Sequence, residues 1–178
     1  MVNTNVTSKY MRGIAALKFN GDTLGYVKKG SFKLNGKEAE YTPIEAEQVP
    51  DGPVEIVLTK NATIEPTFSL IELEYERLQA TMGGKVIKDG EGADAKVIGW
   101  DAPVALDAVI GNFVLDFYTG RSIPVPRALL LASITGDVTF ATPTELSCKV
   151  LPIKDLTDAQ KATYGIRDTS AIADEPQG

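Results

Sequence analysis

Apolar and polar residues alternate in short runs through most of this chain, and glycine, proline or asparagine breaks each run. A period of two puts successive side chains on opposite faces of a strand, so the pattern predicts many short strands joined by turns. Ile14 to Phe19 is the first strand; Asn20-Gly21 ends it and Thr23 to Lys28 resumes it. Ser31 to Leu34 and Lys37 to Tyr41 read as a hairpin about Asn35-Gly36, with Ala39 and Tyr41 inward and Glu38 and Glu40 outward. Thr42 to Pro53 carries three prolines and several acids, and reads as a long loop or an irregular extended hairpin tip. Val54 to Thr59 and Ala62 to Phe68 are strands, Pro66 marking the second as an edge or bulge. Beyond a glycine-rich connection, further strands are predicted at Ala95 to Trp100, Val104 to Ile110, Phe113 to Tyr118, Val138 to Phe140 and Glu145 to Ile153. Ile123 to Pro126 is extended, and its prolines argue against a central place in a sheet. Arg127 to Ile134 is apolar enough to be a strand buried on both faces, or briefly helical.

One stretch breaks the period. From Ser69 to Gly84, apolar side chains fall at Ile71, Tyr75, Leu78 and Met82, one stripe of a 3.6-residue helix. The pattern predicts a helix over about 70–82 with those four residues as its packing face. Ser69 and Glu72 have capping-box spacing, and Gly83-Gly84 supplies the stop. Glu72, Glu74, Glu76 and Arg77 lie off the stripe, toward water or a neighbouring subunit. The fold class that follows is β-rich α+β. Two packed antiparallel sheets, sandwich- or barrel-like, are flanked by one helix, with a long hairpin loop and extended termini. The expected organisation is an arm over 1–13, one β-domain over 14–153 and a polar tail over 154–178, in which 157–161 can form helical turns and residues after Asp168 are disordered.

Composition narrows the function. A length of 178 residues suits one domain. No apolar run approaches the roughly 18 residues of a membrane helix, and the polar first residues lack a signal-peptide core, so a cytoplasmic site of synthesis is expected. The chain has no histidine and one cysteine, Cys148. The commonest general base and metal ligand are therefore missing, and neither an intrachain disulfide nor a structural zinc site can form. Cys148 shares a strand face with Leu146 and Val150 and reads as a buried thiol. No phosphate-binding loop, dinucleotide fingerprint or nucleophile elbow is present. The expectation is a protein that is not an enzyme and takes no cofactor or metal. Asp89 to Asp94 only loosely resembles a calcium loop, lacking its spacing and terminal glutamate.

The net charge is −6 and the pI about 4.8. Such a surface does not attract nucleic acid, but it can repel DNA from a wall along which DNA slides. The charge is also segregated. Lys9, Arg12, Lys18, Lys28, Lys29 and Lys33 precede Glu38, Glu40, Glu45, Glu47, Asp51 and Glu55. Solvated surface explains either block alone; a basic section of one copy meeting the acidic section of the next explains both.

Three phrases carry a family resemblance: Leu24-Gly25-Tyr26-Val27-Lys28-Lys29-Gly30-Ser31, then Ile64-Glu65-Pro66-Thr67-Phe68-Ser69-Leu70-Ile71-Glu72 where a strand runs into the helix, then Leu78-Gln79-Ala80-Thr81-Met82-Gly83-Gly84. With the acidic loop before them and paired strands after, residues 14–153 resemble the major tail tube proteins of tailed bacteriophages, whose fold recurs in the type VI secretion tube. The resemblance implies rings, usually hexamers, stacked into a hollow tube that conducts the genome. It implies residence in the virion tail and contacts with other copies and with tape-measure, terminator and baseplate-hub proteins. DNA passes without specific binding, and no membrane is involved. Glu38 and Glu40 would face the lumen, and Glu45, Glu47 and Asp51 would lie on a ring-stacking loop. Alternatives are another tail component, such as a terminator, baseplate hub or decoration protein, and a carbohydrate-binding β-sandwich.

Overall fold

The computed structural model describes residues 9–92, 95–158 and 160–173. Residues 1–8 of the arm, Ala93-Asp94 of the glycine-rich loop, Ala159 and residues 174–178 lie outside the described residues. In chain order the elements are β1 (Ile14–Phe19), β2 (Asp22–Thr23), β3 (Gly36–Lys37), β4 (Glu40–Ile44), β5 (Glu55–Lys60), β6 (Thr63–Ile64), β7 (Thr67–Leu70) and α1 (Tyr75–Met82). They continue as β8 (Lys85–Asp89), β9 (Lys96–Asp101), β10 (Val109–Phe117), β11 (Arg121–Thr135), β12 (Glu145–Pro152), β13 (Arg167–Asp168) and α2 (Thr169–Ala173). The fold is β-rich α+β with several antiparallel sheets. A seven-stranded sheet runs β2-β1-β10-β11-β12-β7, with β13 added on β11. Three two-stranded ladders, β3–β6, β4–β5 and β8–β9, stand beside it.

The large sheet follows from the alternating runs. Leu17 pairs with Leu115 and Phe19 with Phe113, so the apolar sets of β1 and β10 share a face. All four are buried, together with Phe68, Leu70, Val125, Leu130, Leu146 and Val150. Fully burying one such side chain stabilises by about 1.5–3 kcal/mol. The sheet is curled. Phe68 of β7 stacks on Phe113 of β10 at 6.1 Å between ring centres, and on Phe32 at 6.0 Å. Three strand spacings in a flat sheet would separate β7 from β10 by about 14 Å.

The segment from Leu24 to Lys33 straps the two edges of this curl together. At one end the Leu24 N–H donates to the Leu17 carbonyl. At the other, the Lys28 and Lys33 N–H groups donate to the Ser69 and Thr67 carbonyls of β7. This corrects the local hairpin expected about Asn35-Gly36. Asn35 does take a left-handed φ of 48°, but residues 33–37 pair with 63–67, not with 37–41. Fold-back across the chain gives Phe32 the Phe68 ring to stack on, which a two-stranded local hairpin would not.

The helix is shorter than expected. It starts at Tyr75, with Glu74 as its first flanking residue and no side-chain cap, so the Ser69–Glu72 capping box does not form. Ser69 and Leu70 instead belong to β7, which pairs Leu70 with Leu146 and Phe68 with Cys148. Burial of Phe68 and Leu70 on one strand face outweighs extending a helix toward Ile71. At the other end Gly83, at φ 75° and ψ −153°, a conformation that glycine accepts, donates its N–H to the Gln79 carbonyl and ends the helix. Trp100 of β9 donates its indole N–H to the Gly83 carbonyl at 2.9 Å, which fixes the helix against the β8–β9 ladder.

Three other expectations change. Ile123–Pro126 lies within β11, near the middle of the large sheet. Its prolines fall in the gap between the β13 pairing at 121–122 and the β12 pairing from Ala128. There the Pro124 carbonyl accepts from Gly165, so the Pro124 nitrogen also faces away from β10 and no ladder bond is lost. Val138 to Phe140 and Val104 to Ala108 of the expected strands are loops, because neither run finds a partner strand among the described residues. The tail is not wholly loose: Ile153 donates to Arg127, Gly165 to Pro124 and Thr169 to Gly120, and Thr169–Ala173 is a second short helix where disorder was expected. Near this covering Asp116 of β10 is buried, accepts from Ser122 at 2.5 Å and pairs with Lys18 at 2.7 Å.

Candidate assembly surface

The acidic segment forms a projecting ribbon. β4 and β5 pair from Glu40–Lys60 to Ile44–Glu55, and every residue of both strands is exposed. The outer residues are not polar enough to explain this. Tyr41 is 61% exposed and Leu58 66%, with Ile56 exposed on the same face, Ile44 and Val57 exposed on the other, and Val54 exposed before β5. Tyr41 therefore points outward, contrary to the expected inward position, because the strand it would have packed with is elsewhere. A lone two-stranded ribbon is at best marginally stable in water. A contiguous exposed apolar surface marks an interaction site.

The acids predicted to matter all fall on or beside this ribbon. Glu38 precedes β4 at its root, and Glu40 opens β4, 3.4 Å from Lys60. Both are exposed, and neither is on the large sheet. Glu45, Glu47 and Asp51 lie in the connection at the tip, also exposed. Spacing along the chain found these residues; it did not show that the ribbon stands clear of the domain.

The predicted helix face is only half realised. Leu78 is buried and Met82 packs partly against the core, whereas Ile71 is 37% and Tyr75 44% exposed. Ile71 precedes the helix, so its place in the stripe is lost. Thr81, which the apolar pattern passed over, is fully buried and donates its hydroxyl to the Arg77 carbonyl at 2.7 Å. Arg77 does not face open water. It pairs with Glu72 and with Glu74, and donates to the Leu24 carbonyl of the strap at 3.3 Å. Gly25, at φ 99°, makes room: a Cβ there would stand 1.7 Å from the Arg77 guanidinium.

A groove opens between β1 and residues 25–30. Its volume is about 760 Å³, and Ile14, Leu17, Val27, Phe32 and Phe117 line its apolar part. Arg12, Lys28 and Lys29 line its polar part. Lys28 is paired with Glu145; Arg12 and Lys29 make no ion pair among the described residues. The outer edge of β1 is bonded to β2 only at Lys18 and Phe19, so Ile14 to Ala16 have no strand on that side among the described residues. A second, more polar hollow of similar volume is lined by residues of the tail and of β10 and β11, among them Asn112, Arg127, Asp155 and Tyr164.

Elsewhere ion pairs tie elements of the fold together. Glu65 accepts from Lys149 at 2.7 Å and Lys37 at 2.6 Å, which joins the β3–β6 ladder to β12. Those two ammonium groups hold its carboxyl at about 2, far below its usual range. Burial alone pushes the Cys148 thiol up to about 12. Among the described residues no three or more metal-binding side chains gather, and no helix is long and apolar enough to cross a membrane. No protein-family model matches the chain, and comparison with curated proteins finds no match.

Proposed function

We propose that this chain is a structural virion protein of a tailed phage. Copies close into rings, six to a ring as in the family the sequence resembles, and the rings stack into the tail tube that conducts the genome. The observation that carries this reading is the β4–β5 ribbon, which exposes Tyr41, Ile44, Ile56 and Leu58 in the single chain. Such a ribbon is stabilised when other copies cover it, and a closed ring with identical contacts covers every copy alike. Fully exposed Val104, Leu106 and Phe140, at the end of the sheet where β10 begins and β11 ends, fit a lateral contact between neighbours. Other tail proteins would meet the two ends of the tube.

The net charge of −6 supports a bore that does not hold DNA. Like charge repels phosphate, so the cargo slides. Glu38 and Glu40, exposed at the ribbon root, are the acids assigned to that wall. The protein would be made in the host cytoplasm and reside in the virion tail. Negative-stain electron microscopy of concentrated protein tests the reading. Hollow fibres of stacked rings are expected. Protein that stays monomeric at every concentration and salt would overturn it, and single rings that never stack would point to a terminator instead.

A further inference from the structure

The ribbon and the groove are complementary in chemistry, yet one chain cannot use them on each other: no ribbon residue lines its own groove. The ribbon offers apolar side chains, open strand edges and the tip acids Glu45, Glu47 and Asp51. The groove offers an apolar floor, the edge of Ile14 to Ala16, which has no strand beside it among the described residues, and the cations Arg12 and Lys29. We infer that the β4–β5 ribbon of one copy seats in the groove between β1 and residues 25–30 of another, adding a strand at the open β1 edge while its tip acids meet Arg12 and Lys29. Edge addition supplies main-chain hydrogen bonds, and the pocket for alternate side chains supplies specificity. Opposite charge fixes the direction of seating and suppresses ribbon-to-ribbon pairing, where acids would face acids. The inference rests on the assembly proposed above and names the socket that assembly uses.

Disulfide trapping between two single variants tests it. Tyr26→Cys places a thiol on the groove wall and Ile56→Cys one on the ribbon; both native side chains are exposed, and Cys148 is buried. The two variants are mixed under assembling conditions, oxidised and analysed by mass spectrometry of the cross-linked peptides. The expected product joins Tyr26→Cys of one copy to Ile56→Cys of another, while Val138→Cys mixed with Ile56→Cys gives none. A charge swap is the second arm. Arg12→Glu with Lys29→Glu should abolish assembly, and a partner carrying Glu45→Lys, Glu47→Lys and Asp51→Lys should restore it in mixed samples. Rings or fibres that form without the Tyr26–Ile56 link and ignore the charge swap overturn this inference and leave the tube reading intact. A sample that never assembles overturns both.

Discussion

Phe68 and Phe113 stack at 6.1 Å although two strands of the same sheet lie between theirs. The pair measures how tightly the sheet curls and closes the core around Leu17, Leu115 and Val125. Phe68→Ala would remove the middle ring of the three and leave a cavity facing Phe32 and Phe113. The expected loss is about 3–5 kcal/mol of unfolding free energy, read from urea unfolding of dilute monomer. A loss under about 1 kcal/mol would mean that the rings do not carry the closure.

Gly25 links the strap to the helix through the space it leaves for Arg77. Gly25→Ala combines an unfavourable φ with displacement of the guanidinium from the Leu24 carbonyl. The expected cost is about 1–3 kcal/mol. Arg77→Ala in the same chain would relieve the clash with the guanidinium but not the approach to the Glu72 carboxylate or the backbone strain, so the double variant should recover only part of the loss. Full recovery would place the whole effect in the contact.

Glu65 gives the fold an acid-sensitive joint. Its folded pKa, about 2, is lowered from 4.5 by Lys149 and Lys37. A lowered folded value means that the unfolded chain takes up the proton first. The stabilisation is therefore complete above about pH 4.5 and is lost as pH falls toward about 2. Glu65→Gln should be less stable than the parent at neutral pH, and the gap should close across that window in urea titrations. A gap independent of pH would assign the loss to packing alone.

The single thiol should be silent in the folded protein. Cys148 is buried on the core side of β12, beside Phe68 of β7, and its ionisation is suppressed, so a thiol-specific reagent should label it only on unfolding. Labelling at the rate of a free thiol in native buffer would show that β7 opens away from β12.

Ribbon and domain should separate in mutagenesis. Ile56→Ser with Leu58→Ser touches only exposed positions, so the stability of the monomer should change by no more than about 0.5 kcal/mol. Assembly, followed by light scattering and microscopy, should nevertheless be lost. If fibres form as before, the exposed apolar ribbon is not the contact.

The strands of the large sheet were legible wherever a run alternated and its neighbour in sequence was also its partner. β1 and β12 fall where the period places them, whereas β10 runs as one strand through Gly111-Asn112, between two runs expected to be separate; Phe19, Phe113 and Leu146 are in the core as their spacing requires. Two kinds of feature were not legible. Local signals lost to distant pairing: Asn35-Gly36 has turn chemistry, but residues 33–37 align with 63–67, and Ser69 has a cap-like position yet sits in β7 beside Ser147. Polar segments held through their backbones carried no pattern at all, so the docking of Gly165 and Thr169 on β11 left no trace in side-chain hydropathy. The residues of the proposed assembly surface were only partly apparent in the sequence. Acid spacing pointed to the ribbon, while the groove is made from residues far apart in sequence, such as Ile14, Phe32 and Phe117.

The strap between Leu24 and Lys33 also has a mechanical meaning. A pull on the ribbon enters the domain through the ladder of residues 33–37 with 63–67, then passes along the strap to β1 and along β7 to β12. The load is shared between both margins of the curled sheet, and rows of hydrogen bonds resist it side by side. A filament built from such units would stretch little before it broke, and bending it would strain the joints between copies sooner than the copies themselves.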